Sequence, residues 1–429
     1  MSIRLLSISL ISVCLLVIAQ PVVSAGALDA NPLSLNNAIR KALNDNPNLA
    51  AINARFLAIS QTPSQLGALP EPKLKFNVAN LPLDSFALDQ TAMTQIQMGI
   101  TQALPFPGKL ALKSEIAQNL ANASAESLQD AKLKLVQQVR HQWWQLFYLD
   151  RAIEVVKKNQ IILKQFVEVA ETKYSVGQGL QQDILLAQVE EYRLQDKELQ
   201  LLSTRHTVQS RLNMLMGAKR TQVITINPNV DEVLPELNKP AEYLPMAKAA
   251  RPDIKKAKSL TDAAKSKLDL AKKDYYPDFQ LGAVYGWRKD RTGLGSVQFS
   301  MNIPWDTANR QDPAKDQRNY EWMQTKYAVT DLENRILEEI EVTVANYERA
   351  KKQLILFKDA IIPQAEQTVE AMLAGYQVNK VDFLNLLGAQ ITLFNYNTQY
   401  WRALSAANQY LAALDTAIGK ELDQETSHE

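Results

Sequence analysis

The sequence predicts a mostly α-helical, internally duplicated chain with a small β part: long helical hairpins, and four strands contributing to a shared transmembrane β-barrel. Three observations carry this. First, the second half repeats the first. Tyr174 to Gly217 runs against Tyr376 to Gly419 without a gap, at a constant offset of 202 (376 against 174, 419 against 217). Leu185/Leu387, Ala187/Ala389, Gln188/Gln390, Leu202/Leu404, Ser203/Ser405 and Leu212/Leu414 coincide, and upstream Pro47-Asn48-Leu49 answers Pro252-Asp253-Ile254. Second, four segments alternate apolar and polar residues. Third, no proline or glycine interrupts Lys109 to Lys173; about 65 helical residues would reach roughly 100 Å.

Taken in order, the chain opens on an export signal. Arg4 precedes an apolar run from Leu5 to Ala19, and Pro21 and Val23-Ser24-Ala25 supply a cleavage site. Residues 1–25 are expected to be removed, leaving a chain that begins close to Gly26; a retained membrane anchor is the alternative. Val13 before Cys14 departs from a lipidation signal, and Cys14 is the one cysteine, so cleavage would leave neither disulfide nor thiolate chemistry. No later apolar stretch approaches the about 18 residues of a spanning helix. With 47 basic and 46 acidic residues spread throughout, nothing points to nucleic acid.

The first repeat is expected over 26–217: a helical start, a strand hairpin at about 73–104 and a helical hairpin at about 109–216. A connector rich in proline (Pro228, Pro235, Pro240) covers 218–241. The second repeat, 242–419, has its strand hairpin at about 278–305 and its helical hairpin at about 313–418, before a polar tail at 420–429. Phe76, Ile96, Met98, Phe279, Leu281, Phe299 and Met301 lie on the apolar faces of the strands, with Ile303 and Trp305 continuing the last one. Gln95, Gln97, Gln280, Gln298 and Ser300 lie between them. Such alternation suits one face in lipid and one in a wet lumen. A half-buried soluble sheet is the bland alternative. Four strands cannot close a barrel, and open edges are not tolerated in lipid, so several chains must share one.

The helices carry sparse apolar positions at coiled-coil spacing: Ile184, Ala187, Val189, Leu194, Leu199 and Leu202, then Leu384, Leu387, Ile391 and Phe394. Pro363 predicts a kink. Gly177 and Gly179 allow a tight reversal between helices.

Several strings in this order resemble the TolC-type outer membrane efflux proteins over nearly the whole mature chain. Tyr174-Ser-Val-Gly-Gln-Gly-Leu-Gln-Gln-Asp183 resembles the family's first hairpin tip, and Tyr376-Gln-Val-Asn379-Lys380-Val-Asp382-Phe-Leu-Asn385 its second. Leu104-Pro-Phe-Pro-Gly-Lys109 resembles the strand-to-helix corner of the heavy-metal branch, and Ile362-Pro363-Gln-Ala-Glu the break in the later long helix. The resemblance implies a homotrimer in the Gram-negative outer membrane, spanning into the periplasm, with the long helical hairpins forming an α-barrel. Its tips would dock on a periplasmic adaptor and, with it, an RND-type inner membrane pump, and the duct would be passive, for small solutes including heavy-metal ions. A periplasmic adaptor or scaffold, and an exit duct for polypeptides, are the alternatives. In the family the second tip often carries two acidic residues; the matching positions here are Asn385 and Gly388, so a carboxylate ring is absent from the mouth.

No catalytic, cofactor or metal site is expected. The chain lacks phosphate-loop, HExxH and CxxC motifs, and His141, His206 and His428 are scattered. Gly293-Leu-Gly295 reads as a turn between strands, and Trp143-Trp144 as packing between helices. Asp183 reads either as a gate or docking residue, or as a solvated carboxylate or helix cap.

Overall fold

A computed structural model describes residues 32–420. The expected leader with Cys14, and the tail beyond Lys420, lie outside the described residues. The first repeat runs α1 (Leu35–Asp45), α2 (Pro47–Ser60), α3 (Thr62–Gly67), β1 (Lys73–Ala79), β2 (Gln95–Leu104), α4 (Lys109–Ser175) and α5 (Gln181–Leu215). The second runs α6 (Pro240–Ala250), α7 (Pro252–Lys273), β3 (Phe279–Arg288), β4 (Arg291–Met301) and α8 (Gln311–Leu356). A π-helical turn (Phe357–Ile361), α9 (Ile362–Gln377) and α10 (Phe383–Ile418) complete it. The start of α2 shows how local chemistry sets the boundaries: the Asn46 side chain accepts from Leu49 N at 3.0 Å, and Pro47 fills the first turn, where its missing N–H costs nothing.

The strands form one antiparallel sheet in the order β1-β2-β3-β4, so the two repeats meet at the β2–β3 ladder. Register decides the faces. Phe76 opposes Met98, Met98 opposes Tyr285, Leu281 opposes Phe299 and Phe279 opposes Met301. One face therefore gathers the apolar residues of all four strands, and it is open: Phe76 is 70% exposed, Val297 86%. The other face carries Lys75, Asn77, Gln97, Gln280, Gln298 and Ser300. β4 ends at Met301, so Ile303 and Trp305 lie beyond the strand rather than in it. Gly293 and Gly295 are not a turn. They lie within β4, and a Cβ on Gly293 would meet the Tyr285 hydroxyl at 2.4 Å; the glycine makes room for that ring. The reversal itself falls between Arg288 and Arg291, with Asp290 at φ 56°.

At the other end of the sheet the strand-to-helix corner is a built joint. Gly108 turns the chain at φ 90°. Asp278 accepts from Phe106 N at 2.8 Å and pairs with Lys109 Nζ at 3.0 Å, which also reaches Asp274 at 3.1 Å. Phe106 stacks on Tyr276 with centroids 4.5 Å apart. The Leu104-to-Lys109 string thus clamps the first repeat to the strand entry of the second.

α4 packs along α5, α8 along α10, and α10 against α4, which brings the two helical hairpins side by side. The buried positions of α4 step by three or four from Leu146 through Leu149, Ile153, Val156, Asn159, Leu163, Phe166 and Ala170 to Lys173, a coiled-coil seam. Of the apolar positions expected on α5, Ala187 and Leu194 are in the seam. Val189, Leu199 and Leu202 are exposed and form a second stripe with Leu185 and Tyr192. Periodicity alone does not separate a face toward the hairpin partner from a face toward another chain. Trp143 and Trp144 are buried in the core, with Trp143 Nε1 donating to Leu33 O at 3.0 Å. Pro363 has no N–H for the preceding turn, and the helix meets this with the π-turn at Phe357–Ile361. The connector lies along α8: Tyr347 Oη and Lys351 Nζ donate to Pro235 O at 2.6 and 3.1 Å, and Lys358 pairs with Glu232 at 2.8 Å.

Candidate functional site

The two hairpin tips lie at the far end of the long helices from the sheet, and their backbones are the same object built twice. Gln178 N donates to Lys173 O at 2.8 Å, and Lys380 N to Gly375 O at 2.9 Å; Gly177 N donates to Tyr174 O, and Asn379 N to Tyr376 O. Each donor and acceptor differs from its counterpart by the 202 of the sequence repeat. This is the bond pattern of a helix ended by a left-handed residue. Gly177 supplies it at φ 72° and Asn379 at φ 58°; asparagine is the side chain that best tolerates that region after glycine.

Side chains break the symmetry. A Cβ on Gly179 would meet Tyr174 N at 2.9 Å and Lys173 Cβ at 3.0 Å, whereas at the second tip Gly375 is the residue that yields, to Val381 Cγ2 at 2.5 Å. Lys173 and Gly179 match Gly375 and Val381, so the small partner of the same contact has changed sides. Tyr174 is 49% exposed, while its counterpart Tyr376 is 4% exposed. Asp183 is 8% exposed, and its counterpart Asn385 is on the surface.

These differences join the tips to each other. Tyr376 Oη donates to Asp183 Oδ2 at 3.1 Å. Lys173 Nζ donates to Tyr376 O and to Asn379 Oδ1, both at 2.5 Å, and lies 4.4 Å from the centre of the Tyr376 ring. Phe383 packs on Tyr376 at 5.2 Å and on Phe166 at 6.5 Å. Two turns further along, Gln390 Nε2 donates to Asn159 Oδ1 at 2.7 Å. The arrangement is a polar latch in an apolar seam, which costs stability unless every member is satisfied. Burial, with the Asp183 carboxylate second, pushes the Tyr376 hydroxyl up to about 12, so it is a firm donor at neutral pH.

Of the residues singled out from sequence, Asp183 and Tyr376 are brought together. Asn379 accepts from Lys173, and Gly177 and Gly179 shape the first turn. Asp183 is neither a solvated carboxylate nor a helix cap: it is buried, and its carboxylate is spent on the other hairpin. Lys380, Asp382 and Asn385 remain exposed at the second tip, where Asp382 opens α10 through its carbonyl rather than its side chain. Lys173 and Phe383 were not singled out. Their signal was positional, because both fall on seam positions, and a lysine there needs a partner. No cluster of His, Cys, Asp and Glu among the described residues is arranged to hold a metal ion. No described helix is long and apolar enough to cross a membrane.

Comparisons agree with this geometry. The cobalt-zinc-cadmium resistance protein CzcC of Cupriavidus metallidurans is 22% identical over 401 residues, covering 91% of each chain. The fold matches the outer membrane protein VceC of Vibrio cholerae with a TM-score of 0.77 at 18% identity, covering 90% of this chain and 96% of that one. It matches CusC, solved as a folding transmembrane channel, with a TM-score of 0.78 at 17% identity, covering 90% and 92%. The family model described as outer membrane efflux protein matches residues 38–218 and 243–420, one segment for each repeat, and the chain belongs to that family.

Proposed function

We propose that this outer membrane efflux protein is the exit duct of a three-part export system, and that its cargo is heavy metals. Three copies close one strand barrel in the outer membrane and one helical tunnel across the periplasm. The tips meet a periplasmic adaptor, and through it an RND-type inner membrane pump supplies the energy. The observation that carries the reading is the sheet. It presents a continuous apolar face to solvent and leaves the outer edges of β1 and β4 without a ladder partner. Each unpaired backbone group would cost several kcal/mol in lipid, and pairing β1 of one chain with β4 of the next removes the whole cost. The exposed stripe Leu185, Val189, Tyr192, Leu199 and Leu202 supports the same closure among the helices. On this reading Phe76, Ile96, Met98, Leu281 and Phe299 face lipid, and Val176 and Val378, exposed at matched positions, are contacts for the adaptor.

The metal cargo follows the named activity of the CzcC relative. The experiment is deletion of the gene in its host, with metal accumulation measured by elemental analysis. Cells lacking the duct should retain cobalt, zinc or cadmium and regain normal levels on complementation. Unchanged metal content with a changed tolerance to organic compounds would replace the cargo while leaving the duct. A protein recovered in the soluble periplasmic fraction would overturn the duct itself.

A further inference from the structure

The four strands contain no aspartate or glutamate. Their charged residues are Lys73 and Lys75 on β1, Arg288 at the end of β3 and Arg291 at the start of β4. Register puts Lys73 opposite Thr101 and Lys75 opposite Gly99, on the face of Asn77, Gln97, Gln280 and Gln298 rather than the apolar one. Both lysines are exposed, and neither makes an ion pair within the described residues. Glu71, the nearest carboxylate in sequence, is paired with neither. Arg288 gives its guanidinium to neutral carbonyls, Thr292 O at 2.8 Å and Ala92 O at 3.1 Å. The compensated cations flank the strands: Lys289 pairs with Asp89 at 2.8 Å at one end, and Lys109 with Asp274 and Asp278 at 3.1 and 3.0 Å at the end nearer Lys73.

Closure does not neutralise the lysines. The strand that would pair with β1 is β4 of another copy, and the polar face of β4 offers only Thr292, Leu294, Ser296, Gln298 and Ser300. Within β4 itself no residue offers a carboxylate to Lys73 or Lys75; the nearest are Asp290 before the strand and Asp306 beyond it. Three copies would bring three of each lysine into one lumen. With strands about 4.8 Å apart and tilted near 40°, a barrel of that size has a backbone radius of about 12 Å. That is close to the Debye length of about 10 Å at 0.1 M salt, so the charges act across the whole opening. Rings of Lys or Arg are the device by which pores favour anions.

We propose that the strand barrel is an electropositive throat, with Lys73 and Lys75 as the residues that set its preference for anions. This rests on the duct reading above and refines its substrate class. A bare divalent cation meets a barrier in the throat, so what passes with least resistance is an anion, or a metal ion held in a neutral or anionic complex.

The test uses the full-length protein in intact cells, with Asn77→Cys as a reporter on the polar face and methanethiosulfonate reagents of opposite charge added from outside. Each rate is normalised to the same reagent's rate with a small free thiol. Labelling by either reagent reports the wet lumen; the ratio reports the proposal. The anionic reagent should react about fivefold faster or more, and Lys73→Gln with Lys75→Gln should bring the ratio close to one. Equal rates in the parent, a faster cationic reagent, or a ratio unmoved by the double variant would overturn the throat while leaving the duct standing. Labelling by neither reagent, with the protein present as a membrane oligomer, would overturn the lumen and the proposal together.

Discussion

The two repeats agree in the sheet and differ at the tips. In the sheet, both strand hairpins put their apolar residues on the same face, and the ladder between them is fitted by glycines on either side, Gly99 against Val284 and Gly282 against Thr101. At the tips the two hydrogen bonds that close each turn are matched, yet Lys173, Gly179 and Asp183 do work that Gly375, Val381 and Asn385 do not. Duplication supplied two copies of a turn. Divergence then turned a self-contained turn into half of a latch, with Asp183 and Lys173 on one copy and Tyr376 and Asn379 on the other. A membrane face needs only apolarity and tolerates equivalence between repeats; a latch needs a donor facing an acceptor and cannot be built from identical halves.

The strongest way to break the comparison is at the sheet. Arginine at Met98 in the first repeat or Leu281 in the second should each cost about 2–4 kcal/mol near the midplane, and alike, while arginine at Gln298 should be mild. Heat stability of the membrane oligomer reads this out, and a clear difference between repeats would deny the equivalence. At the tips, effects should be unequal. Gly179→Val should cost about 1–3 kcal/mol through overpacking against the Tyr174 amide. Val381→Gly at the matched site should cost less, about 1 kcal/mol, because it only empties the half-buried space that Gly375 leaves. Export assays with oligomer level as control separate the two outcomes.

The latch predicts a smaller, directional effect. Asp183→Ala leaves the buried Tyr376 hydroxyl unpaired and should loosen the tip by about 1–3 kcal/mol, seen as a higher open probability in single-channel recording. Tyr174→Phe, at the matched exposed tyrosine, should stay within about 0.5 kcal/mol of the parent. The pH dependence is sharper still. The Tyr376 pKa is raised from 10.0 to about 12, so the folded tip favours the protonated form. Its contribution is fully present below pH 10 and is lost as pH rises through about 12. Stability lost over that window in the parent should be smaller in Tyr376→Phe, and an identical alkaline loss in both would place the titrating group elsewhere. The smallest effect concerns multivalent cations. With Asn385 and Gly388 where a carboxylate ring would stand, trivalent ions should scarcely block the parent, and Asn385→Asp with Gly388→Asp should introduce block. Strong block of the parent would assign the constriction to other residues.

The backbone of this fold is largely legible in the sequence. The offset between Tyr174 and Tyr376 became a repeated set of hydrogen bonds, and period-two alternation became a two-faced sheet, because both are local properties of the chain. The latch was not. A lysine in a long helix reads as solvated, and only the seam through Phe166 and Ala170 shows that Lys173 faces inward. Asp183 read as surface or cap because its partner lies 193 residues away. Gly293 read as a turn because glycine's commonest use is conformational, whereas here it clears space for Tyr285. The stripe at Val189, Leu199 and Leu202 was visible as apolar but not as outward, since a helix with two partners has two seams.

On the proposed reading one chain is a fraction of a closed duct, its open sheet edges joined to those of identical copies. Native mass spectrometry of the detergent-extracted membrane complex tests this most directly. A species of three copies, dissociating on heating to single chains, is the predicted result. A stable single chain extracted from the outer membrane, with the outer edges of β1 and β4 unpaired, would contradict it.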